Sequence, residues 1–187
     1  MKYILSILMI VGLSLSSYSK SKEVGENIDV THYEIHLNEI NVADRIIDAT
    51  TIITLKTLTS IDGIELELKS LDVTSVTSDD AIINNFSQNG DVLSVTFGNP
   101  VTANTTISLT VNYGGTTFNE NWGGIHWSND YVYNLGVGFD SQPHNLGKTW
   151  FPCVDNFTDK ASFDLYITYP DNMLSSCGGL LSATTDN

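Results

Sequence analysis

Four histidines, two cysteines and twenty-two carboxylates are the side chains of this chain with the chemistry to bind a metal or move a proton. His32 and His36 stand four apart in His32-Tyr33-Glu34-Ile35-His36, a spacing that chelates on a helix. Tyr33, Ile35 and Leu37 alternate with His32, Glu34 and His36, however, and that is the period of a strand. At roughly 3.3 Å per residue the two imidazoles lie about 13 Å apart along one face, whereas one zinc needs its ligands near 2 Å. The pair cannot close on a single ion. His126 and His144 fall among turn residues with acids nearby and no ligand spacing. No nucleophile elbow, no phosphate-cradling glycine loop and no distinguished carboxylate pair is present. The chain's own residues predict neither a metal site nor a catalytic centre.

These residues must be carried by strands. Ile64, Leu66 and Leu68 alternate with Glu65, Glu67 and Lys69. Leu93, Val95 and Phe97 alternate with Ser94 and Thr96, and Ile107, Leu109, Val111 and Tyr113 with Ser108, Thr110 and Asn112. Arg45–Leu58 is a β-branched run. Turn chemistry separates these runs at Ile61-Asp62-Gly63, Gln88-Asn89-Gly90-Asp91, Gly98-Asn99-Pro100 and Gly114-Gly115, with Asn89-Gly90 the clearest hairpin signal. No stretch holds a 3.6-residue period. Short strands with one apolar face predict an all-β fold, an antiparallel β-sandwich of two packed sheets. A Gly/aromatic segment, Phe118–Phe139, carries Trp122, Trp127 and Tyr131. Such rings either cap the core or form a platform on which a sugar or a surface could stack. The platform reading would make the chain a secreted carbohydrate- or surface-binding module.

The excess of 22 acidic over 8 basic residues gives a net charge of −14. That excludes nucleic acid and anionic membrane surfaces as partners, since both need clustered Lys and Arg. Residues 1–19 read as a signal peptide: Lys2 opens a positive region, Tyr3–Leu15 is apolar but short for a span, and Ser17-Tyr18-Ser19 offers small residues for cleavage. The chain is expected in the periplasm or outside the cell, with no membrane attachment after cleavage. Residues 20–28 form a polar N-terminal tail and 29–187 the folded domain. In an oxidising compartment Cys153 and Cys177 are expected to form a disulfide. It would close a loop of about 25 residues, for roughly 3.5 kcal/mol in the chain-entropy picture. The alternative is two buried thiols acting as small apolar residues.

The most specific stretch is Gly147–Pro170, GKTWFPCVDNFTDKASFDLYITYP. A proline-broken turn, Trp150-Phe151-Pro152-Cys153, leads to an alternating strand in which Phe163, Leu165 and Ile167 are expected to face the core and Asp164 and Thr168 the solvent. The pattern W-F-P-C-x-D followed by D-K-A-S-F-D-L-x-I-T-x-P resembles the N-terminal domain of the aminopeptidase-N-like zinc metallopeptidases, the gluzincins that include leukotriene hydrolase. Asp29–Leu37, Tyr113-Gly114-Gly115 and Ser176–Leu180 are similar to further strands of that domain. The zinc motif HExxH of those enzymes is not in this sequence.

The resemblance implies a saddle-like β domain, non-catalytic by itself, that packs on a downstream catalytic domain holding zinc and acting on peptide substrates. It also implies that a loop before the F-P-C motif recognises the peptide's α-amino group. Here that loop is Gly138-Phe139-Asp140-Ser141-Gln142-Pro143-His144. Gln142 matches the amine-recognising position best, with Asp140 as the rival under a one-residue shift.

Overall fold

The computed structural model describes residues 23–129 and 131–185. The signal-peptide reading of residues 1–19 lies outside them. In chain order the strands are β1 (Ile28–Asn41), β2 (Ile46–Thr57), β3 (Ile61–Glu67), β4 (Asp72–Thr77), β5 (Ile83–Asn89), β6 (Val92–Val101), β7 (Thr106–Thr116), β8 (Asn119–Glu120), β9 (Gly123–Ser128), β10 (Tyr131–Leu135) and β11 (Ser162–Ile167). A single 3-10 turn, Gly147–Thr149, follows β10.

The all-β sandwich expected from the alternation is the fold. One sheet has the order β11-β1-β2-β7-β4 and the second β3-β6-β5, with a small third sheet, β10-β9-β8, beside them. The inward residues are those the period picks out: Val30, Ile35, Ile53, Leu55, Leu109 and Val111 from the first sheet, Leu66, Leu93 and Val95 from the second. Strands β1, β2, β3, β6 and β7 bury alternate residues over most of their length, so a register slip of one would expose their apolar sets. Thr51 is buried with them, and its hydroxyl is satisfied by the Tyr113 hydroxyl at 3.0 Å.

Several expectations need correction. β11 joins β1 in parallel, Tyr33 opposite Phe163 and Ile35 opposite Leu165. It is the outermost strand of its sheet, so only one flank is covered. Leu165 and Ile167 are half-buried, but Phe163 is 53% exposed rather than in the core. Gly98-Asn99-Pro100 is no turn but a bulge within β6: Val101 pairs with Ile61, and the next pair is Thr96 with Gly63. A bulge accommodates a proline that cannot donate to the ladder. In the Asn89-Gly90 hairpin the paired residues are Asn89 and Val92, so the loop is Gly90-Asp91. Gly90 alone of these two takes a positive φ, 59°, as the first centre of a II′ turn does. The end of the expected polar tail is also built in: the Leu58 amide donates to the Asn27 carbonyl, and Gly25 lies against Val154, which a β-carbon there would strike at 2.6 Å.

Candidate functional site

The loop between β10 and the 3-10 turn is shaped by its own backbone. Val137 and Asn145 form an isolated antiparallel bridge at its neck. The Gly138 amide donates to the His144 carbonyl at 2.8 Å, and the Leu146 amide to the Gly136 carbonyl at 2.9 Å. Gly138 has no room for a side chain, because a β-carbon would fall 1.9 Å from Glu120 Oε1. That contact exposes a clamp that sequence reasoning missed. Glu120, on β8, accepts the Asp140 amide at 3.0 Å on Oε1 and the Ser141 hydroxyl at 2.6 Å on Oε2. The Ser141 hydroxyl and the loop amides hold its carboxyl below the usual carboxylate range. A lone Glu in a two-residue strand has no spacing signal that would have revealed it.

The structure sets Asp140 and Gln142 apart in what their side chains are free to do. Asp140 is engaged by its neighbours: Asn121 Nδ2 donates to its Oδ2 at 3.1 Å. Gln142 Nε2 meets His144 Nε2 at 3.2 Å, and its carbonyl oxygen has no partner among the described residues. Gln142, Pro143 and His144 are all exposed, and the Gln142–Pro143 peptide is cis.

Beneath the loop lies a half-buried polar knot. Cys153 exchanges both backbone hydrogen bonds with Glu67 at the end of β3, at 2.7 and 3.0 Å. Lys148 Nζ donates to Glu67 Oε1 at 2.6 Å and lies 3.8 Å from Asp155 Oδ2. The Asp155 amide donates to Glu67 Oε2, its side chain accepts the Gly147 amide, and its carbonyl accepts Asn145 Nδ2. Burial opposes the charge of Lys148, but the hydrogen bond and negative charge of Glu67, with Asp155, outweigh it and raise its pKa. From above, Tyr113 donates to the Trp150 carbonyl and the Val154 amide donates to the Tyr33 hydroxyl. The W-F-P-C-x-D segment is therefore tied to both large sheets, and it anchors the C-terminal end of the 138–144 loop.

The expected Cys153–Cys177 disulfide is absent from the structure, where both are free thiols. Cys153 is sealed in the knot, and burial, with the charges of Asp155 and Glu67, pushes its thiol pKa well up. Cys177 lies exposed in an extended segment beyond β11.

The histidines serve other partners. The Ser162 hydroxyl is donated to the Thr31 carbonyl, so His32 Nδ1–H donates to Ser162 Oγ at 2.9 Å. His36 donates to Glu34 at 2.7 Å and stacks on Tyr166 at 4.4 Å. His126 donates to the Gly123 carbonyl. Among the described residues no three His, Cys, Asp or Glu side chains are grouped to hold a metal ion, so the residues present do not fit a zinc site. The three aromatics of the platform reading do not share a plane. Tyr131 pairs with Ser128 and is 74% exposed, while Trp127 pairs with Val132 on the other face, against the core. Trp122 stacks on Phe139, with ring centroids 6.1 Å apart.

The family described as Peptidase M1 N-terminal domain matches residues 29–186. No curated protein matches the chain. Among solved structures, the M1 zinc metallopeptidase from Deinococcus radiodurans superposes with a TM-score of 0.73 at 22% identity, covering 87% of this chain and 37% of its own. A two-domain M1 zinc metallopeptidase mutant bound to L-arginine gives a TM-score of 0.75 at 22% identity, over 88% and 38% of the two chains. A Deinococcus radiodurans mutant bound to a Tyr-Ser-Ala substrate gives 0.73 at 22%, over 87% and 37%. These likenesses are likenesses of fold. The chain spans a little over a third of the length of the structures it matches.

Proposed function

The chain belongs to the Peptidase M1 N-terminal domain family, and on that premise we propose that it is the non-catalytic N-terminal domain of an exported zinc aminopeptidase. It packs on a catalytic domain of the same polypeptide, and its 138–144 loop helps shape the cleft that receives the peptide's N-terminus. The catalytic domain would hold the zinc; among the described residues of this chain no three His, Cys, Asp or Glu side chains are grouped to do so. Apolar side chains left in solvent, Phe157, Phe163, Leu174, Leu180 and Leu181, form the surface for that packing; exposed apolar area of this kind marks interaction surfaces.

The Gln142 carbonyl oxygen accepts a hydrogen bond from the substrate's α-ammonium. The observation that carries this reading is the unpartnered carbonyl oxygen of Gln142, presented on a loop that Glu120 clamps from one side and the Lys148–Glu67–Asp155 knot from the other. An ammonium needs an oxygen acceptor aimed at it, and a hydrogen bond to a charged group is worth roughly 1.5–3 kcal/mol. Asp140 is the rival: Asn121 donates to its Oδ2, and its Oδ1 has no partner among the described residues. In the full-length protein, Gln142→Ala is expected to lower kcat/KM on free-amine substrates by about ten- to a hundredfold. Full efficiency in Gln142→Ala with a loss in Asp140→Ala would transfer the role to Asp140. Full efficiency in both would remove this loop from amine recognition.

A further inference from the structure

The amide of Gln142 is aimed by a neighbour. Its Nε2 carries only protons to donate, so the contact with His144 Nε2 at 3.2 Å requires that ring nitrogen to be an acceptor. His144 is then the neutral tautomer with its proton on Nδ1. If the ring takes a second proton, Nε2 becomes a donor, and the contact survives only if the Gln142 amide turns over to offer its oxygen to the ring. The NH2 group then points where the carbonyl had been. An NH2 cannot accept a proton from an ammonium, and the imidazolium adds a like charge beside it.

We propose that His144 is a positioning residue for Gln142: neutral, it holds the amide with the carbonyl outward to receive the substrate's α-ammonium, and protonated, it reverses the amide and closes the site to amines. The inference rests on the amine-recognising reading of Gln142 and adds its regulation by pH.

The ring of Phe139 meets His144 edge-on at 6.4 Å between centroids. The charged groups of the neighbouring elements are Glu120 on β8, taken up by Asp140 and Ser141, and Asp140 on the loop itself, which accepts from Asn121. On β9, His126 is engaged with the Gly123 carbonyl. Among the described residues, no carboxylate forms an ion pair with His144.

Two measurements test it. In this chain, the side-chain amide resonances of Gln142 are followed by proton–nitrogen NMR from pH 8 to pH 5. They are expected to move through one transition together with the His144 ring signals, and to stay still in His144→Leu. In the full-length protein, KM for a free-amine substrate is expected to rise about tenfold more between pH 8 and pH 6 in wild type than in His144→Leu, at similar kcat. In a Gln142→Ala background the His144 replacement should change nothing. Gln142 resonances that ignore the titration, or equal pH dependence of KM with and without His144, would overturn the proposal. A Gln142→Ala variant with unchanged KM would instead sink the amine-recognising reading, while the NMR titration would still decide whether His144 aims the amide.

Discussion

At the scale of single residues, the site is a set of polar groups that hold one another in place. Glu120 shows the device most clearly, because its two oxygens divide between an amide and a hydroxyl of the loop it holds. Its folded pKa lies below the ordinary carboxylate value, so the stabilisation is fully present above the unfolded pKa, near 4.3, and is lost as the pH falls through the folded value. Protection of the Asp140 amide, measured relative to intrinsic exchange, is therefore expected to fall as the pH drops through the folded pKa of Glu120 and to be absent at every pH in Glu120→Ala. Wild-type protection that ignores acidification would contradict the clamp. The cysteines give a second prediction. Because Cys153 is sealed and its thiol pKa raised, one thiol, Cys177, should react in the native chain and both after denaturation. Finding no thiol in denatured, unreduced protein would restore the disulfide. Gln142 and Asp140 were singled out only through a resemblance in the neighbouring F-P-C motif. Glu120, and the way His144 meets Gln142, were illegible because both depend on how the 138–144 loop closes on β8, which no sequence spacing encodes.

At the scale of elements, burial rather than alternation decides what a strand contributes. Ile53 in β2 has no solvent exposure, with β1 and β7 on its two sides. Phe163 in β11 shows the same alternation but sits on an outermost strand with half its surface in water. Ile53→Ala is expected to cost about 2–5 kcal/mol of stability and Phe163→Ala under about 1 kcal/mol in this chain. Denaturant unfolding of the two variants measures the difference, and equal losses would contradict the edge placement. The strongly alternating strands β1, β2, β3, β6 and β7 were legible from their period, because each buries one face. β4, Asp72–Thr77, and β5, Ile83–Asn89, escaped because their residues are mostly polar and partly exposed, with pairing supplied by β7 and β6. The parallel docking of β11 was equally illegible, since a strand's period says which face is apolar and nothing about the direction of its neighbour.

At the scale of the whole molecule, the proposal assigns the exposed apolar groups after the F-P-C motif to contact with a catalytic domain. Leu180 is 99% exposed, in a segment without regular structure. Backbone amides of residues 171–181 should accordingly exchange rapidly in the isolated chain and be protected in the full-length protein. Equal exchange in both would place the packing surface elsewhere. The central claim is that this domain, without catalytic groups of its own, supplies the acceptor for the peptide's α-amino group. The most direct measurement is a crystal structure of the full-length protein with a free amino acid bound at the zinc centre, grown near pH 8. The account predicts the ligand's α-nitrogen about 2.7–3.2 Å from Gln142 Oε1, with the amide nitrogen still on His144. An α-nitrogen held entirely by other residues, with the Gln142 side chain in solvent, would contradict it.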